Sequence, residues 1–440
     1  MTDFSRRGFL TGAAGISAAG WAAGLSSSQR AGASMLASPS SSDTDANADT
    51  GADAGQDAGR QESDTSAPLA DQIEPFDGEH QAGVATPVQS SLNLVAFDLN
   101  DDVSPRQFVN LMRLWTTDAR ALCTGESPRG SLEPELADAP ANLTISCGFG
   151  EPLFGKLGLE KEKPEWLRDI KHFDRDRLDP QWGQTDLVLQ ICCDDKLTAA
   201  HALRHMVRAG SRYAHVVWLQ QGFQNTPGLR AEKQTPRNLF GQKDGTVNPR
   251  TAEDFAEQIW IDEGPQWQRG GTALVARRIR MNMETWEEAD RPTRETAIGR
   301  DLPEGAPLSG GDEFTPVDFN KRDKYGLPAV DRNSHIARAQ PPKDHPEQRI
   351  LRRAYNYDLP PDPRTPDQLS NSGLIFLAYQ KDPSKQFEPI QSRLDEADFL
   401  NEWITHIGSA VYVLPPGTQA GKDGGKRDTF WAESLVGALR

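Results

Sequence analysis

The order of apolar segments along the chain predicts an α+β fold made of two ferredoxin-like halves, in which helices pack on antiparallel sheets. After a polar N-terminal region the chain runs strand, helix, strand, strand, helix, strand, which is the order of a ferredoxin-like unit. A second set of strands and helices follows. A chain of 440 residues is long enough for both halves to bury a substantial core.

The first half, approximately residues 75–235, contains clear strand and helix patterns. SLNLVAFDLN (91–100) has the apolar density of a strand, and a segment with helical periodicity follows Ser104, an N-cap residue type. The other predicted elements are a strand in ANLTISCGFG, a loop in GEPLFGKLG, a strand in DLVLQICCDD, a helix in KLTAAHALRHMVRAG and a strand in RYAHVVWLQQG.

The second half, approximately residues 236–440, is interpreted from its own apolar patterns, because no short repeat relates it to the first. The predicted elements are a strand in GTALVARRIRMNM, a helix in TWEEADRPTRETAIG, a strand in GLIFLAYQ, a helix in EADFLNEWITHIG and a strand in VYVLPPG. We therefore expect one folded body over residues 75–440.

The first 36 residues resemble a twin-arginine export signal. Arg6 and Arg7 in SRRGFL precede a weakly apolar run rich in Ala and Gly, with small residues at 31–33. Residues 37–74 include SSSDTDANADTGADAGQDAG, which predicts a disordered acidic linker. No segment is apolar for long enough to be a stable membrane span. We expect export by the twin-arginine route to the periplasm, the cell envelope or the exterior.

Charge and cysteine usage narrow the classes of function. The net charge of −16, without a basic stripe, makes nucleic acid an unexpected partner. The four cysteines form no CxxC motif, so a zinc knuckle is not indicated. Adjacent Cys192 and Cys193 should point to opposite faces of a strand. Cys123 and Cys147 could form a disulfide in an exported protein, and their spacing leaves this open.

The segment NLFGQKDGTVNP (238–249) places Asp244 directly before Gly245 and three residues after Gly241. Glycines permit tight turns, so such a loop can hold a carboxylate close to a ligand, although a solvated turn has the same composition. Two later segments, SHIARAQPP (334–342) and RILRRAYNYD (349–358), supply a histidine and paired arginines.

Together these three segments resemble the dye-decolorizing (DyP-type) haem peroxidases, whose haem site uses an acid in GxxDG, a histidine and an arginine. The resemblance extends over roughly residues 80–440. It implies one non-covalent haem b per chain, and two ferredoxin-like halves packed as one haem-binding body. It also implies reduction of hydrogen peroxide through a ferryl intermediate, with oxidation of an unidentified donor that is dye-like, phenolic or iron-related.

The resemblance assigns catalytic roles to Asp244 and Arg352. A carboxylate can move a proton between the two peroxide oxygens, and a permanently charged guanidinium can orient the peroxide and stabilise developing charge. Arg353 is the alternative if the register differs by one residue.

The resemblance assigns His335 as the proximal ligand of the haem iron. An acid should hold its other ring nitrogen, and Asp398 is preferred to Asp395 in the predicted helix RLDEADFLNEW. Further contacts to the porphyrin are implied for Gly245, Thr246, Val247, Gln340, Pro341 and Pro342. Trp286, Tyr355 and Tyr357 are interpreted as core or pocket aromatics, with electron relay as the alternative.

Two alternatives stay open. His201 and His205, spaced i,i+4 in a predicted helix, could bind zinc, although the motif lacks the glutamate of HExxH. The twin-arginine signal and LRRAYNY resemble the exported branch that includes the deferrochelatase/peroxidase proteins. A haem-binding component of an iron-uptake system that releases iron from haem is therefore the alternative function. Iron-uptake components and a second copy of the chain are possible partners.

Overall fold

The computed structural model describes residues 68–229, 234–363, 368–421 and 427–437, all within one compact unit. The predicted signal and most of the predicted linker lie outside these residues. Residues 68–74, which the sequence places in the linker, include a 3₁₀ turn at Leu69–Asp71, and Leu69 packs against the core. The backbone N–H of Asn142 also donates to the Gln72 carbonyl at 2.8 Å. Folded structure therefore begins before Pro75.

The first half is a four-stranded antiparallel sheet with helices on one face. Its elements are β1 (Ser91–Leu99), α1 (Pro105–Cys123), β2 (Thr144–Gly150), α2 (Glu151–Leu157), β3 (Leu187–Cys193), α3 (Lys196–Gly210) and β4 (Ala214–Phe223). The strand order β4–β1–β3–β2 is ferredoxin-like. Ser104 begins α1 with a capping box to Gln107, which confirms the predicted start of this helix.

The second half repeats this arrangement. Its elements are α4 (Ala252–Gln258), β5 (Thr272–Met281), α5 (Met283–Glu288), α6 (Arg291–Ile298), α7 (His335–Ala339), β6 (Leu351–Arg352), β7 (Tyr355–Leu359), β8 (Asn371–Gln380), α8 (Phe387–Ala397), β9 (Ile404–Leu414) and α9 (Glu433–Val436). The strand order is β9–β5–β8–β7. The short strand β6 also pairs with β8, at Ala378 and Tyr379, beyond the part of β8 that pairs with β7. The predicted α+β fold with two ferredoxin-like halves is confirmed.

Short pairings at two edges join the halves into a closed sheet. Phe149 of β2 pairs with Val413 of β9, and Phe223 of β4 pairs with Asn356 of β7. Side chains from both halves fill the interior of this sheet, among them Leu94, Trp218, Leu274, Tyr355 and Tyr379. A second cluster packs α1 and α3 on the outer face, and a third surrounds Phe240, Ile279 and Trp286.

Several predicted elements are wrong. GEPLFGKLG is helix α2, because Pro152 is tolerated in a first turn and Gly158 ends the helix with φ 69°. TWEEADRPTRETAIG contains two helices, since Asp290 caps α6 and interrupts the pattern. The helix predicted in EADFLNEWITHIG ends at Ala397, and strand β9 begins at Ile404. Strands β6 and β7 are absent from the sequence prediction, because they are short.

The cysteines are all buried free thiols, so Cys123 and Cys147 form no disulfide here. Cys192 lies in the sheet interior and Cys193 in the outer cluster, as alternation along a strand predicts. Within the described part of the chain, no helix combines the length and the apolar character needed to cross a membrane.

Candidate active site

Glycine conformations shape the loop that presents Asp244. Gly241 has φ 79° and Gly245 has φ 120°, values that residues with side chains rarely adopt. The Asp244 backbone N–H donates to the Pro236 carbonyl at 2.8 Å, which fixes the loop on the strand-like segment before it. The carboxylate of Asp244 is consequently held in a buried position, with 8% of its side chain exposed.

The buried carboxylate faces the guanidinium of Arg352. Arg352 Nη2 lies 3.2 Å from Asp244 Oδ1, which is within ion-pair distance, yet Oδ1 has no hydrogen bond among the described residues. A buried carboxylate oxygen without a hydrogen bond is costly unless a ligand or water completes it. Asp244 Oδ1 can therefore accept a hydrogen bond from a ligand beside the permanent positive charge of Arg352.

Asn248, which the sequence interpretation missed, attaches the Asp244 loop to β6. Its Nδ2 donates to the Arg352 carbonyl at 2.7 Å, and its Oδ1 accepts from the Arg352 backbone N–H at 3.0 Å. One side-chain amide thus holds both backbone groups of the residue that faces Asp244. The only sequence signal was its place in the same loop, four residues after Asp244.

Arg353 points to the opposite side of the chain from Arg352. Its guanidinium is buried and donates to the carbonyls of Thr86 and Pro87 and to the Gln89 side chain. Strand-like alternation separates the two arginines, and Arg352 is the one that forms an ion pair with Asp244.

His335 begins α7 and contacts the acid that follows α8. His335 Nδ1 lies 2.6 Å from Asp398 Oδ2, and the carboxylate of Asp398 is 1% exposed. Asp398 is held in turn by the Leu400 backbone N–H, because it caps a 3₁₀ turn and is not a solvated helix residue. Asp395 instead accepts from the backbone of Asp174 and Arg175.

A buried polar cluster lies behind this pair. Arg277 forms a buried ion pair with Asp176, and His406 Nδ1 lies 4.0 Å from the same carboxylate. Burial, reinforced by the charge of Arg277, holds the pKa of His406 well below its ordinary value. His406 is therefore a neutral neighbour of His335.

The end of α6 contacts helix α7 and, through Glu313, the loop that contains Asp244. A Cβ at Gly299 would lie 2.7 Å from Ile336, so α7 packs directly on this glycine. The next residue, Arg300, donates to the Glu313 carbonyl at 2.8 Å. The Glu313 carboxylate accepts from Thr246 at 3.3 Å and pairs with Lys243 at 2.5 Å. Arg300 and Glu313 were not predicted, because no pattern in the sequence shows that Glu313 contacts Thr246, which is 67 residues away.

The other predicted cofactor contacts lie beside these residues. Gly245, Thr246 and Val247 continue the loop after Asp244, where Thr246 is buried and the Val247 side chain is 75% exposed. Gln340 ends α7, and half-buried Pro341 and Pro342 follow it.

The two pairs fit a haem group. Because Nδ1 of His335 contacts Asp398, Nε2 is the nitrogen that would hold the iron of a haem group. Asp244 Oδ1 is a buried acceptor that has no hydrogen bond among the described residues, so it could accept one from a bound ligand. A neutral imidazole with a carboxylate behind it is a common donor to haem iron.

In the histidine pair of α3, His205 contacts a buried acid. His205 Nε2 lies 2.9 Å from the buried Asp118 carboxylate, and His201 lies beside it on α3. Across the described ranges, no cluster of three or more metal-ligating side chains is present. Trp286, Tyr355 and Tyr357 are buried in the core, where Trp286 stacks on Phe240 with ring centroids 4.2 Å apart.

Two family models match most of the described chain. The model described as "Dyp-type peroxidase, N-terminal" covers residues 81–224, and "Dyp-type peroxidase, C-terminal" covers residues 235–419. The boundary between the matches falls between the two ferredoxin-like halves.

Individual relatives agree with these matches. A dye-decolorizing peroxidase of Thermobifida fusca is 34% identical, over 76% of this chain and 80% of that protein. A deferrochelatase of Escherichia coli is 34% identical, over 80% of this chain and 85% of that protein. The crystal structure of a DyP-type peroxidase from Cellulomonas bogoriensis is 42% identical with a TM-score of 0.79, covering 84% of this chain and 99% of that one.

Proposed function

Because the chain belongs to the Dyp-type peroxidase family, we propose that it is an exported haem b peroxidase whose site is formed by Asp244, Arg352 and His335. The observation that carries this assignment is the buried Asp244–Arg352 ion pair. A protein that only carries haem needs an iron ligand but has little use for a carboxylate and a guanidinium held together.

His335 and Asp398 would hold the cofactor, and bound haem would supply one-electron redox chemistry. The Asp398 carboxylate accepts a hydrogen bond from Nδ1–H of His335, which would fix the tautomer and raise the basicity of Nε2. Gly245, Thr246, Val247, Gln340, Pro341 and Pro342 are proposed to contact the porphyrin, since they flank the two pairs.

Asp244 would act as the proton carrier for peroxide. Hydrogen peroxide must lose a proton from one oxygen and gain one on the other before its O–O bond breaks. A buried carboxylate can accept the first proton and return it to the departing oxygen. Arg352 stays charged throughout, so it can orient the peroxide and stabilise the negative charge that develops.

The proposal also includes the route of export and the class of electron donor. SRRGFL supports the twin-arginine route, which carries proteins already folded and would allow haem loading before export. The donor is proposed to be a dye-like, phenolic or iron-related reductant.

The proposal is tested by peroxide-dependent oxidation of a reducing dye by the full-length haem-loaded chain. Arg352→Met should retain haem and lose about 100-fold or more of the rate, as expected when a charge-stabilising group is removed. Arg349→Met, an exposed arginine three residues away, should match the wild-type rate. Equal rates in wild type and Arg352→Met would remove Arg352 from the reaction.

Release of iron from haem is a second candidate function, favoured by the relatives named deferrochelatase. The same preparations, given an iron chelator and a reductant without peroxide, distinguish the two. Appearance of metal-free porphyrin fluorescence together with chelated iron, unaffected by Arg352→Met, would favour haem handling over peroxidase turnover.

A further inference from the structure

A cavity of about 470 Å³ opens at one end of the closed sheet. Its lining includes the ends of β5, β7, β8 and β9, with Trp182 and Arg278 beside apolar Leu359 and Ile407. This volume lies within the range of about 300–1,000 Å³ that is usual for small-molecule sites.

Arg278 lies beside this cavity as a buried cation. It is 5% exposed, and its guanidinium carbon lies 3.8 Å from the centre of the Tyr357 ring and 4.6 Å from that of Trp182. Aromatic contacts of this kind stabilise the cation through its faces and leave the N–H donors in its plane available. Among the described residues these donors have one partner, Gln220 Oε1, at 3.3 Å from Nη1.

Two polar groups at this position lack partners. Arg278 Nε and the Tyr357 hydroxyl are buried, and neither has a hydrogen bond within the described part of the chain. Arg278 also forms no ion pair with a described carboxylate, although Asp179 and Asp362 line the same cavity. A buried charge that has no counterion among the described residues is unfavourable, so an anion from solution would be stabilised here.

Further positive charge surrounds the opening. Arg280 lines the cavity two residues along β5, on the same face as Arg278. Exposed Arg177 also lines it, with its Nη1 donating to the backbone carbonyls of Asp174 and Asp176. The lining of the cavity therefore contains three arginines and two aspartates. The apolar side chains beside them could contact the hydrocarbon part of an organic anion.

The cavity is separate from the candidate active site. Strand β5 sends Arg278 to the sheet interior and the adjacent Arg277 to the opposite face, where it pairs with Asp176 near His406. A ligand at Arg278 would therefore be divided from His335 and Asp398 by the sheet itself.

We propose that this cavity is a second ligand site, which binds a small aromatic carboxylate. The carboxylate is held by Arg278, with support from Arg280, which lines the same cavity. The aromatic ring lies against Trp182, Leu359 and Ile407.

The test is isothermal titration of the full-length haem-loaded chain with benzoate and with benzamide, its neutral isostere. Benzoate should bind about tenfold or more tightly than benzamide, because the ion pair with Arg278 is replaced by a hydrogen bond from the guanidinium to a neutral amide oxygen. The haem absorbance should not change on binding. No peroxide is used, so this result is independent of the proposed peroxidase activity.

Three variants locate the site. Arg278→Met should weaken benzoate binding about tenfold or more, and Arg280→Met should weaken it by a smaller factor. Arg280→Met also covers the case in which Arg278→Met does not fold. Arg113→Met, which removes an exposed arginine from the face of Phe430, should leave binding unchanged. Equal binding of benzamide, no binding of benzoate, or full binding by both Arg278→Met and Arg280→Met would overturn the proposal.

Discussion

Adjacent arginines in this protein serve different environments because a strand directs neighbouring side chains to opposite faces. Arg352 faces Asp244, whereas Arg353 is buried against backbone carbonyls of residues 86 and 87. Arg277 forms a buried ion pair on one face of β5, and Arg278 lies between aromatic rings on the other. The function of each arginine therefore depends on its register and not on the residue type.

Replacement of Asp244 tests its role as the proton carrier. Asp244→Asn should keep haem, because the amide has nearly the same size, but it cannot accept the peroxide proton. We expect the peroxide-dependent change of the Soret band in stopped flow to slow by about 100-fold or more. Glu253→Gln, at an exposed acid in the first turn of α4, is the control and should behave as wild type. An unchanged rate in Asp244→Asn would exclude the role.

Replacement of His335 tests the iron ligand. His335→Ala removes the imidazole that Asp398 holds, so haem content should fall or the haem spectrum should show a different axial ligand. The control is His345→Ala, at an exposed histidine beside Asp344 and Glu347. If haem content and spectrum of His335→Ala equal those of wild type, the ligand lies elsewhere, and buried His406 becomes the next candidate.

At the scale of elements, the position of Arg352 depends on a connection between a loop and a strand. Asn248 bonds both backbone groups of Arg352, and Asn356 in β7 accepts from the Leu239 backbone N–H at 3.1 Å. The two asparagines thus attach opposite ends of the same loop to the sheet. Only the Asn248 attachment involves Arg352.

Removal of these attachments should separate positioning from stability. Asn248→Ala should lower the free energy of unfolding by about 1–3 kcal/mol, since buried backbone groups lose their partners. It should also slow the peroxide reaction by about tenfold or more, because small displacements of a reacting group are costly. Asn356→Ala should cost similar stability in denaturant unfolding with a smaller effect on that rate. Equal rate losses in the two variants would show that Asn248 has only a structural role.

Helices and strands with a clear apolar pattern or a capping residue were predicted correctly from the sequence. α1 was predicted from its periodicity and Ser104, and β1 and β3 from dense apolar runs. The segment around Asp398 was wrongly predicted as one helix, because its acids and apolar residues fit helical spacing until pairing with β5 makes Ile404 onward a strand. Pairing of this kind is a tertiary effect that no local pattern contains.

At the scale of the whole molecule, the fold brings together residues of the candidate site that are distant in sequence, and those contacts could not be predicted from the sequence. The motif residues Asp244, His335 and Arg352 could be named because each lies in a recognisable segment. Asn248 and Glu313 became visible only once the chain had folded, since each contacts a residue distant in sequence: Asn248 contacts Arg352, 104 residues away, and Glu313 contacts Thr246, 67 residues away. Arg300 became visible only through its hydrogen bond to Glu313. Their roles arise from topology.

The pH dependence of stability reflects a carboxyl in the N-terminal segment that packs on the body. Burial raises the pKa of Glu74 from 4.5 to about 6, opposed by the nearby charge of Arg353. Its ionised form is therefore disfavoured in the folded state, so its contribution should become less favourable as pH rises from 4.5 to about 6 and then stay constant.

Glu74→Gln removes this ionisation. Above pH 6 the variant should be more stable than wild type by up to about 2 kcal/mol, and the difference should shrink toward pH 4.5. Denaturant unfolding at several pH values measures it, with Glu126→Gln as an exposed control. A difference that grows as pH falls would contradict the assigned direction of the pKa.

The central claim is that this site binds haem and uses it with peroxide. The most direct measurement is the absorbance spectrum of the full-length chain before peroxide, after peroxide, and after a reducing dye. We predict a Soret band that changes with peroxide and returns when the dye is oxidised. A Soret band that does not respond to peroxide, or no Soret band after reconstitution with haem, would contradict the account.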